Sequence, residues 1–172
     1  MSQSKLYLSK TVIITLLICF VVNLQAQENF ANKCVGKWEG MMYIYGKGQL
    51  RDSVPVELLV QKTNQDTVWK WKTSYLSKTM PAVKDYNLIL KDVKSQTYAT
   101  DEGGGIELMD YQFNNKLYSV FETHGVMLTS SYELLGNQLI FEVSSGKKLD
   151  DNKEVNNYSV LNLQRVVFKR IL

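Results

Sequence analysis

The sequence predicts an all-β protein, an antiparallel up-and-down β-barrel of about ten strands. Three observations carry this. Apolar and polar residues alternate over many runs of about eight residues, the period of a strand with one buried and one wet face. Turn-forming residues separate those runs at short intervals. No stretch after residue 34 shows the 3.6-residue periodicity of an amphipathic helix.

Each run in order supports the same picture. "CVGKWEGMMYIYG", residues 34–46, alternates and then turns aromatic, and "GKGQ", 46–49, is a tight turn. "SVPVELLVQ", 53–61, puts Val54, Val56, Leu58 and Val60 on one face. Pro55, which lacks an N–H, marks a strand start or an edge there. After the turn "NQD", "TVWKWKTSY", 67–75, directs Trp69, Trp71, Thr73 and Tyr75 one way and Lys70, Lys72 and Ser74 the other. "LSKTMPA", 76–82, is a loop or a single helical turn. "DYNLILKD", "QTYAT", "GIELMDYQF" and "KLYSVFETH" are further strands, parted by turns such as "DEGGG" and "NNK". "VMLTSSYELLG" and "NQLIFEVSS" form a hairpin across Gly136-Asn137. The charged stretch 146–157 is a loop, and 158–172 is a long last strand. A meander with one apolar face hides its edges most economically by closing on itself.

The chain has 172 residues, enough for one domain. Lys5 and Lys10, the apolar run 11–22 and "NLQAQ" match a secretory signal peptide cleaved after Ala26. The apolar run is shorter than the roughly 20 residues of a spanning helix, so no stable membrane anchor is expected. The division is then 1–26 signal peptide, 27–33 a short N-terminal segment, and 34–172 the barrel. The protein is expected to be exported, to the periplasm or beyond the cell. Cys19 follows Ile18, where a lipidation site would require a small residue, so it reads as an apolar leader residue.

Removing 1–26 takes two lysines from the 20 Lys+Arg and none of the 17 Asp+Glu, leaving 18 − 17 = +1. A near-neutral balance does not call for nucleic acid as a partner. Cys34 is the single remaining cysteine, so an internal disulfide is excluded. It is read as a half-buried, unreactive thiol, with a free or intermolecularly paired state as alternatives. With one histidine and one mature cysteine, no zinc site of nitrogen and sulfur ligands is expected. "DDNKE", 150–154, lacks the glycine and the acidic twelfth position of a calcium loop.

Gly36 and Trp38 in "CVGKWEG" form a Gly-x-Trp on the first strand. Together with the meander this resembles the calycin superfamily: lipocalins, fatty-acid-binding proteins, avidins and nitrobindin-like barrels. The resemblance implies that Trp38 closes one end of the barrel, with a basic residue of the last strand across its ring. Arg165 is the preferred candidate and Arg170 the alternative. Gly36, Trp38 and Arg165 are therefore assigned to closure. The Thr-Asp-Tyr motif of lipocalins has only loose echoes in "KDY" and "MDY", and no long first loop or helix pair is present. Nitrobindin-like barrels imply haem held by a histidine. The single histidine, His124, falls at a hairpin tip beside Gly125, so no haem or other cofactor is expected.

The leading functional expectation is a non-catalytic, exported binding protein for a small hydrophobic or mixed-polarity ligand. The inward rings of Trp69, Trp71, Tyr75, Tyr86, Phe121 and Phe141 would line its cavity. Tyr98 and Tyr132 have a less certain facing. Plain core packing is the alternative for each ring. A second reading is an envelope interaction protein with a solid barrel, using Tyr43 and Tyr45 on the face opposite Trp38. A third is an enzyme on the same scaffold, with Asp101, Glu102 or His124 converging at a barrel mouth. "DEGGG", which holds two of these, reads first as a glycine-rich turn. No Ser-His-Asp local signature is present, and the oligomeric state is left open.

Overall fold

A computed structural model of the chain describes residues 29–149 and 154–171. The expected signal peptide, Cys19 and residues 150–153 of the charged loop lie outside the described residues. Those described form a closed antiparallel barrel of ten strands. They are β1 Gly36–Gly46, β2 Gln49–Lys62, β3 Val68–Tyr75, β4 Ala82–Asp92, β5 Thr97–Gly103, β6 Ile106–Phe113, β7 Lys116–Thr123, β8 Val126–Leu135, β9 Gln138–Lys147 and β10 Asn162–Ile171. Every strand pairs with its chain neighbours, and β1 also pairs with β10, which closes the ring. In that closing register Trp38 lies opposite Arg170 and Gly46 opposite Asn162.

A five-residue helix, α1 (Phe30–Cys34), precedes β1 and was not foreseen. Asn29 caps it: its side chain accepts from the Asn32 amide at 2.8 Å. Phe30, Ala31 and Cys34 face inward and are fully buried. The helix plugs one end of the barrel, over a floor of Trp38, Trp69, Tyr98, Leu117, Leu139 and Phe168. Burying a large apolar side chain stabilises by about 1.5–3 kcal/mol each, so this packed end dominates the barrel's hydrophobic stabilisation.

Several expected boundaries move. β2 starts at Gln49, with Pro55 inside it. Pairing with β3 begins only at Val56, and the Pro55 carbonyl accepts from the Leu76 amide just past β3 at 2.9 Å, so the missing N–H falls at the end of that ladder. β5 runs through Asp101 and Glu102 to Gly103, with a register shift there, so only Gly104 and Gly105 form the turn. The last strand begins at Asn162 rather than Tyr158, because Ser159 bonds back to Lys147 and Tyr158 bridges Lys148.

The ladder between β6 and β7 is the shortest in the barrel. It pairs only Tyr111 with Tyr118, Gln112 with Leu117 and Phe113 with Lys116. Above it the Ser119 hydroxyl, not a backbone amide, donates to the Met109 carbonyl at 2.7 Å.

Candidate functional site

The plug divides the barrel into a packed end and an open end. The closure of the packed end corrects one expectation: Arg170, not Arg165, lies over Trp38, 4.2 Å from the ring centre. Inward positions on β10 share the parity of Val166 and Phe168, both buried. Arg165 has the opposite parity, points to solvent and pairs with Glu142 at 2.8 Å. Gly36 and Gly40 flank Trp38 where the chain is crowded. Gly36 has φ +142°, and a Cβ at Gly40 would sit 2.8 Å from the Val167 carbonyl oxygen.

The open half encloses a cavity of about 390 Å³. Its floor is Trp71, which stacks on Phe30 of the plug (6.4 Å between ring centres) and meets Tyr132 edge-on at 5.1 Å. Tyr132 packs in turn on Phe141 at 4.5 Å. Leu108, Phe121, Leu128 and Val143 supply apolar wall, and Thr73, Thr100, Ser119 and Ser130 supply hydroxyls. Lys84, Tyr86 and Glu102 stand at the mouth, with Lys84 Nζ 5.8 Å from the centre of the Tyr86 ring.

Of the six expected lining residues, Trp71, Tyr75, Tyr86, Phe121 and Phe141 border this space. Trp69 does not. It is buried at the plugged end, where its Nε1 donates to the Asn32 side chain at 3.0 Å. Two residues along β3 separate cavity from core, so residues sharing a face need not share a compartment. A solid barrel does not match this interior.

Sequence reasoning missed the most distinctive polar group. Asp110 on β6 is buried and lines the cavity. Its Oδ2 accepts from the Thr100 hydroxyl at 2.8 Å. Burial pushes its carboxyl up to about 6, against a smaller opposing effect of the Thr100 hydroxyl and backbone hydrogen bonds. A signal was present: in "GIELMDYQF" Asp110 occupies the same phase as Leu108, the inward one. Burial likewise raises the Tyr132 hydroxyl, offset in part by the nearby Trp71 indole and Thr73. That proximity is not a bond of good geometry, and the buried Trp71 Nε1 has no hydrogen-bond partner.

The residues of the enzyme alternative do not converge. Glu102 reaches the cavity mouth. The Asp101 carboxylate accepts from the Gly103 amide at 2.9 Å within its own turn. His124 sits exposed on the β7–β8 turn at φ 51°, its Nδ1 2.9 Å from the Thr123 hydroxyl. Cys34 is fully rather than half buried, and burial pushes its thiol up to about 12. Among the described residues no cluster of three or more His, Cys, Asp or Glu is placed to hold a metal ion.

No family model matches the chain, and no curated protein matches it. Solved structures do. A protein of the DUF3598 family from Nostoc punctiforme, itself of unknown function, superposes with a TM-score of 0.60 at 13% identity, over 82% of this chain and 49% of that one. The chain thus spans about half the length of that protein. The S-type phycobiliprotein lyase CPES from Guillardia theta superposes with a TM-score of 0.61 at 7% identity, over 86% of this chain and 95% of that one. At such identities the likeness is one of fold. It corrects the expectation of a non-catalytic protein: a structure with this barrel is a lyase by name, so the architecture gives no ground for excluding catalysis. The shared fold is a calycin-like ten-stranded antiparallel barrel, similar to one that serves a phycobiliprotein lyase.

Proposed function

We propose that this protein is exported and binds a small, partly apolar molecule inside its barrel. The observation that carries the reading is the open-ended cavity of about 390 Å³, which falls within the roughly 300–1,000 Å³ of small-molecule sites. Aromatic and aliphatic walls with a few inward polar groups suit a ligand of mixed polarity. Trp71, Tyr75, Tyr86, Phe121 and Phe141 are the contacts in this reading, and Tyr132 and Asp110 join them. Closure by Gly36, Trp38 and Arg170 shapes the far end without touching the ligand. The leader-like residues 1–26 support export.

Native mass spectrometry of the protein purified from its own host tests both halves. An added mass that is lost on denaturation, on a chain beginning at Gln27, is the expected result. A clean apo mass overturns the binding reading, and an intact Met1 overturns export.

A further inference from the structure

Provided the cavity takes a ligand as argued above, the groups inside it constrain that ligand's charge. Asp110 is 6% exposed, and Thr100 is its hydrogen-bond partner. The titratable groups sharing the interior with it are Tyr98 and Glu102 on β5, Tyr75 on β3, Lys84 and Tyr86 on β4, and Tyr132 on β8. Only Lys84 is a cation, and it stands at the mouth beside the Tyr86 hydroxyl. The carboxylate therefore sits below the mouth with no counter-ion among the described residues. An ionised carboxylate in such a place is costly unless something cationic reaches it.

A second, independent feature lies on the same floor. Trp71 is 4% exposed and borders the cavity. It meets Tyr132 edge-on, Tyr132 packs on Phe141, and Tyr132 lies close enough to Asp110 to feel its charge. Aromatic faces attract a desolvated cation and repel an anion.

We propose that the cavity selects amines: a protonated nitrogen of the ligand pairs with the Asp110 carboxylate inside the aromatic-walled cavity. A carboxylate ligand meets only repulsion at Asp110, and a neutral isostere leaves it unpaired.

Three probes sharing one ring system separate the cases by calorimetry at about pH 7.5: tryptamine, indole-3-ethanol and indole-3-propionate. Tryptamine is expected to bind at least about tenfold more tightly than the alcohol, with the propionate weakest. Asp110→Asn is expected to abolish the preference for tryptamine over the alcohol, with thermal melting confirming that the variant folds. In the wild type the preference for tryptamine is expected to fade between about pH 7.5 and pH 5 as Asp110 gains its proton, and the variant should lack that dependence. An alcohol or propionate that matches tryptamine, or a preference that survives Asp110→Asn, overturns amine selection while leaving a binding cavity in place. No binding by any of the three at millimolar concentration overturns both.

Discussion

The guanidinium of Arg170 lies 4.2 Å from the centre of the Trp38 indole, and both side chains serve the last turn of α1. Arg170 donates from Nη1 to the Val35 carbonyl and from Nη2 to the Lys33 carbonyl, each at 2.6 Å. Trp38 Nε1 donates to the Cys34 carbonyl at 2.8 Å. The carbonyls that a helix end leaves orphaned are thus satisfied from two strands, and the cation sits at the negative end of the helix. One cluster joins the first strand, the last strand and the plug.

Arg170→Ala should therefore destabilise the barrel by about 3 kcal/mol, the sum of lost charge-assisted hydrogen bonds and a cation–π contact. Arg165→Ala removes only an exposed pair with Glu142 and should cost less than about 1 kcal/mol. Urea unfolding of the two variants measures the contrast. Equal losses would show that closure does not depend on Arg170.

Gly40→Ala should cost about 1–3 kcal/mol. The new methyl would meet the Val167 carbonyl at 2.8 Å and the Val166 side chain at 2.7 Å, across the β1–β10 seam. Thermal melts report the loss. A melting temperature equal to that of the wild type would mean that the seam can part at no cost.

Asp110 makes the empty barrel pH-sensitive. Its carboxyl titrates near 6 when folded, against about 3.9 for an unfolded aspartate. The folded state therefore holds the proton more tightly, so its contribution is fully favourable below about pH 4 and is lost as pH rises through 6. The loss is about 2–3 kcal/mol by pH 7.5. Asp110→Asn should match the wild type near pH 4 and exceed it in stability near pH 7.5. Chemical denaturation at both values decides, and a variant weaker than the wild type at the higher pH would contradict the assignment.

Cys34 should resist alkylation. Its thiol is buried and held protonated, and burial also blocks pairing between chains without local opening. Iodoacetamide should label the native protein at least about a hundredfold more slowly than the protein in denaturant. Rapid native labelling would mean that α1 leaves the barrel readily.

Hydrogen exchange should be fastest along the β6–β7 seam above Tyr111 and Tyr118, where the ladder stops. The amides of residues 107–110 and 119–122 that face the seam, rather than β5 or β8, should lose protection before those of β1 and β2. Uniform protection around the ring would show that the seam is as closed as the rest.

Much of the architecture was legible because strand alternation is a local property. Val54, Val56, Leu58 and Val60 read as one inward face, and all four are buried. Trp69 and Trp71 read as inward and are so. The helix was missed because five residues give little periodicity, although the Asn29 cap and apolar residues at 30, 31 and 34 were its traces. Arg165 was preferred to Arg170 because "RVVFKR" admits two phases, and a one-residue slip exchanges the faces of a strand. The shared outward phase of Arg165 and Lys169 was the available clue.

By itself the sequence determined a ten-stranded antiparallel meander with a Gly-x-Trp on its first strand, since pleat and turn chemistry act over a few residues. Only the tertiary structure decided where the interior is solid and where it is hollow. That depends on a plug inserted from outside the strands. It put Trp69 in the core, Trp71 on the cavity floor and Asp110 on the cavity wall with no counter-ion among the described residues. Those three placements arise from contacts between residues far apart in the chain, and local alternation carries no information about them.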